Sequence, residues 1–273
     1  MAGSDTEAAR IRVGVLGAGG RMGATVCQAV LDDPGLELVA AVDPHHVGID
    51  LRQLGVQGAG LNVTRNAAAL LDAGAEVAVD FTVIDAAREN LEWCADNGVH
   101  AVVGTSGFSA SEIEQLAARF DASDANAVIA PNFAIGAVLM MRFAELAAPY
   151  FDSVEIIELH HDGKIDAPSG TAINTAERIA AASGDWVPDP TTKETLAGAR
   201  GAVGAGGIPI HSVRLRGLVA HQEVLLGKDG QSLSIRHDSY DRTSCFMPGV
   251  LLAIRGVRER PGLTFGLDPL LGL

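Results

Sequence analysis

Lysine is scarce in this chain: Lys164, Lys193 and Lys228 stand among twenty basic side chains, the other seventeen being arginines. Positive charge as a whole is also short, with a formal net charge of −14 and a pI near 4.9. That balance speaks against nucleic acid or an anionic membrane as a partner, because both would repel it. An anionic substrate would need a local positive site, since the overall field opposes its approach. Cysteine is equally sparse. Cys27, Cys94 and Cys245 are isolated, odd in number and without metal-ligand spacing, which fits a reduced, cytoplasmic setting and three core thiols rather than nucleophiles. No metal site is expected. No long apolar run is present either: the one continuing through Ala137–Met141 is broken by Arg142 and Glu145, well short of a membrane span. Residues Met1 to Arg10 lack an apolar signal core and read as a flexible N-terminal extension.

What the chain does contain is concentrated in one window, Glu158-Leu-His-His-Asp-Gly-Lys-Ile-Asp-Ala-Pro-Ser-Gly-Thr171. It sets two imidazoles, one of the rare ammonium groups and a Ser-Gly-Thr turn just beyond an apolar strand. Imidazole exchanges protons near neutral pH. Lysine adds positive charge and a proton, and the turn opens an Ala-rich helical stretch whose first backbone N–H groups can receive an anion. The set suits a small acidic substrate anchored at two points; the alternative is a polar surface loop that happens to be rich in histidine.

The 273 residues, 48% hydrophobic and 20% charged, suit a globular α/β protein of two domains. Strand patterns at Ile11–Leu16, Leu36–Val42, Val77–Phe81, Ala101–Val103 and Ala127–Ala130 alternate with helical ones from the first glycine turn to about Leu31, at Ile84–Asp96 and at Ser111–Phe120. Ser109-Ala-Ser-Glu112 resembles a capped helix start. This alternation predicts a Rossmann-like, doubly wound parallel sheet. After Asn132 the rhythm changes. Ala134–Ala148 and Gly170–Ala182 read as helices, Ser153–His160, Ile208–Leu215, Glu223–Leu226 and Ser232–His237 as strands, and Asp185–Gly207 as a long loop. A second α+β domain with a mixed or antiparallel sheet and helices on one face is expected, with the final helix, Gly249–Arg260, returning to the first domain.

Gly17, Gly20 and Gly23 form G-x-x-G-x-x-G between a strand and a helix, and Asp43 ends the second strand twenty residues beyond Gly23. The glycines allow the tight turn, the approach of a pyrophosphate and close helix packing, and the carboxylate can accept from ribose hydroxyls, which favours NAD. Pro44 and His45 follow, with no arginine beside the acid for a 2′-phosphate, although Arg21 could serve in part. Gly104-Thr-Ser-Gly-Phe108 and Ala130-Pro-Asn-Phe133 follow later strands, where small residues let a nicotinamide ribose lie against backbone and Asn132 can bond its carboxamide or ribose. Ordinary turn chemistry explains both loops equally well.

Taken in order, Gly17–Gly23, Gly104–Phe108, Ala130–Phe133 and Glu158–Thr171 resemble the 4-hydroxy-tetrahydrodipicolinate reductase (dihydrodipicolinate reductase) family of the diaminopimelate and lysine pathway, from about Ile11 to the C-terminus. The resemblance implies a dinucleotide-binding domain at 11–132 and 243–273, a substrate-binding and oligomerisation domain at 133–242, and a homotetramer built through the second sheets. It implies NADH and/or NADPH as cofactor, a dicarboxylate cyclic imine as substrate, and neither nucleic acid nor membrane as partner. By the same resemblance His160 is the general acid/base, Lys164 the proton donor, His161 a substrate contact, and Gly170 and Thr171 the holders of a substrate carboxylate. Gly17, Ala18, Gly19, Gly20, Arg21, Met22, Asp43, Gly104, Thr105, Ser106, Ala130, Pro131, Asn132 and Phe133 are its cofactor contacts. Two departures stand out. Pro44 replaces an arginine that some members carry, which favours NADH, and Val219-Ala-His-Gln222 shifts the register of a glycine–histidine pair, so His221 has no assigned role. His211, His237 and Arg242 are further candidates for the pocket wall. Glu158, two residues from His160 on an extended strand, is expected on the same face, where it would raise the imidazole's proton affinity.

Overall fold

The computed structural model describes residues 9–241 and 243–273. Residues 1–8 of the expected N-terminal extension, and Arg242, lie outside the described residues. The chain divides into two compact units, Met1–Phe133 with Phe246–Leu273, and Ala134–Cys245.

The first unit alternates strand and helix through β1 (Ile11–Leu16), α1 (Arg21–Asp32), β2 (Leu36–Val42), α2 (Ala68–Asp72), β3 (Val77–Asp80), α3 (Ile84–Asn97), β4 (His100–Val103), α4 (Ala110–Asp121) and β5 (Ala127–Ile129). The start of α4 is fixed by a capping box: Ser109 Oγ accepts from the Glu112 amide at 3.3 Å, and Glu112 Oε2 accepts from the Ser109 amide at 2.7 Å. Such reciprocal bonds satisfy two otherwise orphaned donors.

In the second unit come α5 (Ile135–Ala147), β6 (Ser153–His160), α6 (Gly170–Ala182), β7 (Ala202–Val203), β8 (Pro209–Arg214), β9 (Ala220–Lys228) and β10 (Gln231–Ser239). The chain then re-enters the first unit through α7 (Met247–Gly256) and β11 (Leu263–Phe265).

The first sheet runs in the order β11-β5-β4-β3-β1-β2 and every pairing in it is parallel. Both faces are covered. Phe120 of α4 and Leu91 and Cys94 of α3 pack with Ala78, Val103 and Ile129 on one side, and α1 and α7 lie against each other elsewhere in the unit. Strands buried on both faces read as nearly unbroken apolar runs, which is why Val77–Val79 and Ala127–Ile129 are recognisable in the sequence. The expected doubly wound sheet and the second α+β domain are both present.

The second sheet is mixed, in the order β10-β9-β6-β8-β7, with β6 and β8 parallel and the remaining pairs antiparallel. Its core joins Val154, Ile156, Ile210, Val224 and Leu226 of the strands to Ala144 of α5 and Ala172, Ala176 and Ile179 of α6.

Several element limits differ from the sequence expectation. The strand expected at Glu223–Leu226 extends over Ala220–Lys228 because two neighbours, β6 and β10, pair along its whole length. The long loop carries the short β7, which gains its bonds only from β8. The last helix ends at Gly256 in a 3-10 turn, Val257–Glu259. Neither β11 nor α2 was expected: three and five residues are too few to show a period.

Ile156 is fully buried at the centre of the second sheet. Ile156→Ala is expected to cost about 2–5 kcal/mol of stability, measured by denaturant unfolding of the second unit's helical signal.

Candidate active site

In a parallel sheet every strand ends on the same edge, so the loops after β1 to β5 collect there. Gly17 takes φ +79°, the left-handed region that glycine enters without strain, and its N–H donates to the Val42 carbonyl at 2.8 Å. A Cβ on Gly23 would collide with the Gly17 carbonyl, so α1 can approach the turn only with glycine there. Helix α1 has no acidic residue in its first turn and no side-chain cap at Gly20. Its positive end is therefore suited to a pyrophosphate, and the residues present fit a dinucleotide.

Asp43 ends β2 at 7% exposure. Its carboxylate accepts from the Gly19 amide at 3.1 Å and the His45 amide at 2.9 Å, and meets His46 Nδ1 at 3.0 Å. Burial alone would raise its pKa, but the bonds from His46, His45 and Gly19 outweigh it and hold the carboxyl below the ordinary range. Sequence reasoning missed His46, whose ring faces Gly19; a histidine three residues past the acid carries no signal until the turn folds.

Beyond β3, the buried Asp80 accepts from the Thr82 amide, the Thr82 hydroxyl and Asn90 Nδ2, each at 2.7 Å. The Thr82 carbonyl in turn accepts from Thr105 Oγ1 at 2.9 Å, tying the loops after β3 and β4 together. Ala18, Thr105, Ala130 and Phe133 are buried, so they present mainly backbone to that edge. Arg21, Ser106 and Pro131 are exposed, and Gly19, Gly104, Met22 and Asn132 lie between. Phe133 packs against Phe81 with ring centroids 5.9 Å apart.

The second unit gathers the His-Lys window. Glu158, His160 and Arg214 lie at the ends of the parallel pair β6 and β8, where His160 is the register partner of Arg214. Glu158 is fully buried. Arg214 grips it with both terminal nitrogens, Nη1 to Oε2 at 2.9 Å and Nη2 to Oε1 at 2.8 Å, and Nη2 also reaches the Asp166 carbonyl at 2.7 Å. Oε1 accepts from the Ser169 amide at 3.2 Å, and Oε2 meets His160 Nδ1 at 2.5 Å. An ionised carboxylate only accepts, so His160 donates from Nδ1 and its lone pair is on Nε2.

Ser169 caps α6, its Oγ accepting from the Ala172 amide at 3.2 Å. Gly170 follows with open space around it: an added Cβ would meet nothing within 4 Å. Lys164 Nζ contacts both Asp166 oxygens, at 2.8 and 2.7 Å, and His161 Nδ1 accepts from the Gly163 amide at 3.1 Å. The structure thus brings His160, Lys164, the α6 start and the unforeseen Arg214 into one cluster.

The expected upward pull of Glu158 on His160 is present but outweighed. Burial, the largest influence, lowers the His160 pKa; Glu158 pulls it up, Lys164 and Arg214 push it down again, and the result lies below the ordinary 6.5. The acid does not win because burial disfavours the charged ring more than the carboxylate favours it, with smaller pushes from Lys164 and Arg214. The Glu158 carboxyl itself would be raised by burial, yet hydrogen bonds from Arg214, Ser212 and His160 hold it below its ordinary value.

Three further histidines of the second unit have other partners. His211 Nε2 pairs with Glu155 at 2.7 Å, and His237 lies against Gly136 of α5. His221 is buried, with Nδ1 on Asp238 at 2.6 Å and Nε2 accepting from the Val219 amide at 3.2 Å. Cys27 and Cys94 are buried thiols, Cys27 pushed up to about 12 by that burial. Among the described residues no cluster of His, Cys, Asp and Glu could hold a metal ion, and no helix is long and apolar enough to cross a membrane.

Because folding depresses the His160 pKa, this group's stabilising contribution is complete above the unfolded value of 6.5 and declines as pH falls through the folded one. Nitrogen-15 NMR of the imidazole is expected to show neutral His160 at pH 6.5 with the proton on Nδ1; a ring mostly charged at that pH would contradict the assignment.

Comparison with known proteins adds to this. The family model "Dihydrodipicolinate reductase, N-terminus" matches residues 11–133, and "Dihydrodipicolinate reductase, C-terminus" matches 136–271. The 4-hydroxy-tetrahydrodipicolinate reductase of Mycobacterium marinum is 54% identical over 265 residues, 96% of this chain and 100% of that one. Among solved structures, the dipicolinate-bound dihydrodipicolinate reductase of Paenisporosarcina sp. TG-14 superposes with a TM-score of 0.85 at 43% identity, covering 95% of this chain and 99% of its own. An amine dehydrogenase of Mycobacterium smegmatis, at 20% identity and a TM-score of 0.63 over 96% of each chain, shares the fold alone.

Proposed function

The chain belongs to the dihydrodipicolinate reductase family, and from that premise we propose that it reduces 4-hydroxy-tetrahydrodipicolinate to tetrahydrodipicolinate with loss of water, in diaminopimelate and L-lysine biosynthesis. The observation that carries this reading is the cluster of His160, Lys164 and the open start of α6 within one unit. NADH or NADPH, when bound, supplies the hydride.

The chain's own residues supply the rest. Gly17 to Met22 and the positive end of α1 receive the pyrophosphate, Asp43 accepts from the ribose, and Gly104 to Ser106 with Ala130 to Phe133 line the same sheet edge. Gly170 and Thr171 hold a substrate carboxylate through first-turn donors, and His161 is a further contact. Reduction of the conjugated ring drives electron density towards its nitrogen and leaves an enamine that takes a proton at carbon. Lys164, whose ammonium contacts both oxygens of Asp166, is the donor. His160, neutral with its Nε2 lone pair available, accepts and returns protons during loss of water.

We assign the first unit to the dinucleotide, and the second to substrate and oligomerisation. Helices α5 and α6 cover one face of the second sheet, whereas Ile157, Leu159, Val213 and Leu225 on the other are only partly buried; a homotetramer joined through that face fits them. The free cysteines favour a cytoplasmic location.

The deciding experiment mixes the protein with freshly condensed aspartate semialdehyde and pyruvate and follows NADH absorbance, which is expected to fall. A static signal would overturn the reading. Lys164→Ala is expected to cost about 2–4 kcal/mol of transition-state stabilisation while NADH titrations stay near wild type; wild-type turnover would remove Lys164 from the mechanism. Asp43→Ala is expected to weaken NADH more than NADPH, and equal losses in titration would show that the carboxylate does not read the ribose.

A further inference from the structure

Arg214 is the best-connected basic side chain of the His-Lys cluster, and among the described residues its hydrogen bonds run to Glu158 and to the Asp166 and Val213 carbonyls rather than to His160 or Lys164. It makes two bonds to a carboxylate at zero exposure and one to the Asp166 carbonyl, next to Lys164's partner carboxylate. Through Glu158 it also reaches the Ser169 amide at the α6 cap and the His160 ring. One guanidinium thereby holds three segments of the window in register: the β6 end, the Lys164–Asp166 loop and the start of α6. A planar fork matched to a carboxylate suits this, and a lysine, with one point charge, could not make all these bonds.

Resting on the function proposed above, we propose that Arg214 is a positioning residue: paired with buried Glu158, it lets that carboxylate orient the His160 ring while leaving the imidazole neutral. The physical reason is charge balance. Glu158 fixes the Nδ1–H tautomer, but an unbalanced buried anion 2.5 Å away would bind a proton on the imidazole and remove its lone pair. With Arg214 present the trio of partly exposed guanidinium, buried carboxylate and imidazole is electrically neutral, so no proton is drawn in. Among the described residues, the charged groups facing His160 are Glu158 from its own strand, Lys164 with Asp166 from the following loop, and Arg214 from β8. Strand β9 places the uncharged Ala220 opposite His160 and Gln222 opposite Glu158, and α6 contributes the positive end of its dipole.

The test compares Arg214→Met, Arg214→Lys, Glu158→Gln and the double variant Glu158→Gln/Arg214→Met, each checked for fold by circular dichroism and for NADH affinity by fluorescence. In Arg214→Met the acid limb of the kcat/KM profile, and the His160 titration followed by nitrogen-15 NMR, are expected to move up by about one pH unit. Its kcat is expected to fall about tenfold or more with NADH affinity unchanged. Arg214→Lys should return the limb towards wild type and recover part of kcat. The double variant, which leaves no unpaired buried charge, should fold even if Arg214→Met does not. Its limb should lie at or below that of wild type, while kcat stays low because the ring is no longer oriented. Glu158→Gln alone should lower the limb. Unmoved titration in folded Arg214→Met, or wild-type kcat in the double variant, would overturn the proposal. If wild-type protein shows no reductase activity the functional reading fails instead, and the NMR titration still judges the role of Arg214.

Discussion

A carboxylate with no solvent exposure is stable only when its charge and its lone pairs are matched inside the protein. Glu158 meets that condition through the fork of Arg214, the Ser169 amide and the His160 imidazole. Each partner comes from a different stretch of chain, and each is pinned by the same two oxygens. The His160 ring and the start of α6 therefore share one anchor, to which the loop carrying Lys164 is tied through Arg214 and the Asp166 carbonyl. Moving the ring, the helix start or Arg214 would leave the carboxylate underbonded, so the geometry of the cluster and the stability of its scaffold rest on the same contacts.

The first unit solves a different problem with backbone rather than side chains. Its parallel strands end together, and the residues at those ends are small or buried. Asp43, just past β2, adds a carboxylate shared between the Gly19 amide and His46. The backbone N–H groups and the helix dipole end at that edge are set in place by the sheet, the kind of preorganisation that lowers the cost of binding.

Much of this was legible in the chain. The doubly wound sheet follows from apolar strands alternating with helical periods, and the capped start of α4 is spelled out by Ser109 and Glu112. The His-Lys-Ser-Gly-Thr window needed only local spacing, because Glu158 and His160 share a face on any extended strand. What escaped had one cause in common. Arg214 lies 56 residues from Glu158 in sequence and meets it only through the pairing of β6 with β8. The extension of β9 and the existence of β7 and β11 likewise depend on partner strands that a local pattern does not contain.

The proton affinity of His160 shows the boundary most clearly. Sequence placed an acid beside the ring, and that acid does pull the value up; the net falls because burial outweighs it, helped by Lys164 and Arg214. By itself the chain determined which groups are available and which neighbours along the backbone they must have, since those follow from fixed covalent geometry and strand or helix periods. Only the tertiary structure decided their charge states and their partners, since electrostatic energies depend on burial and on through-space distance, and both are set by which strands pair.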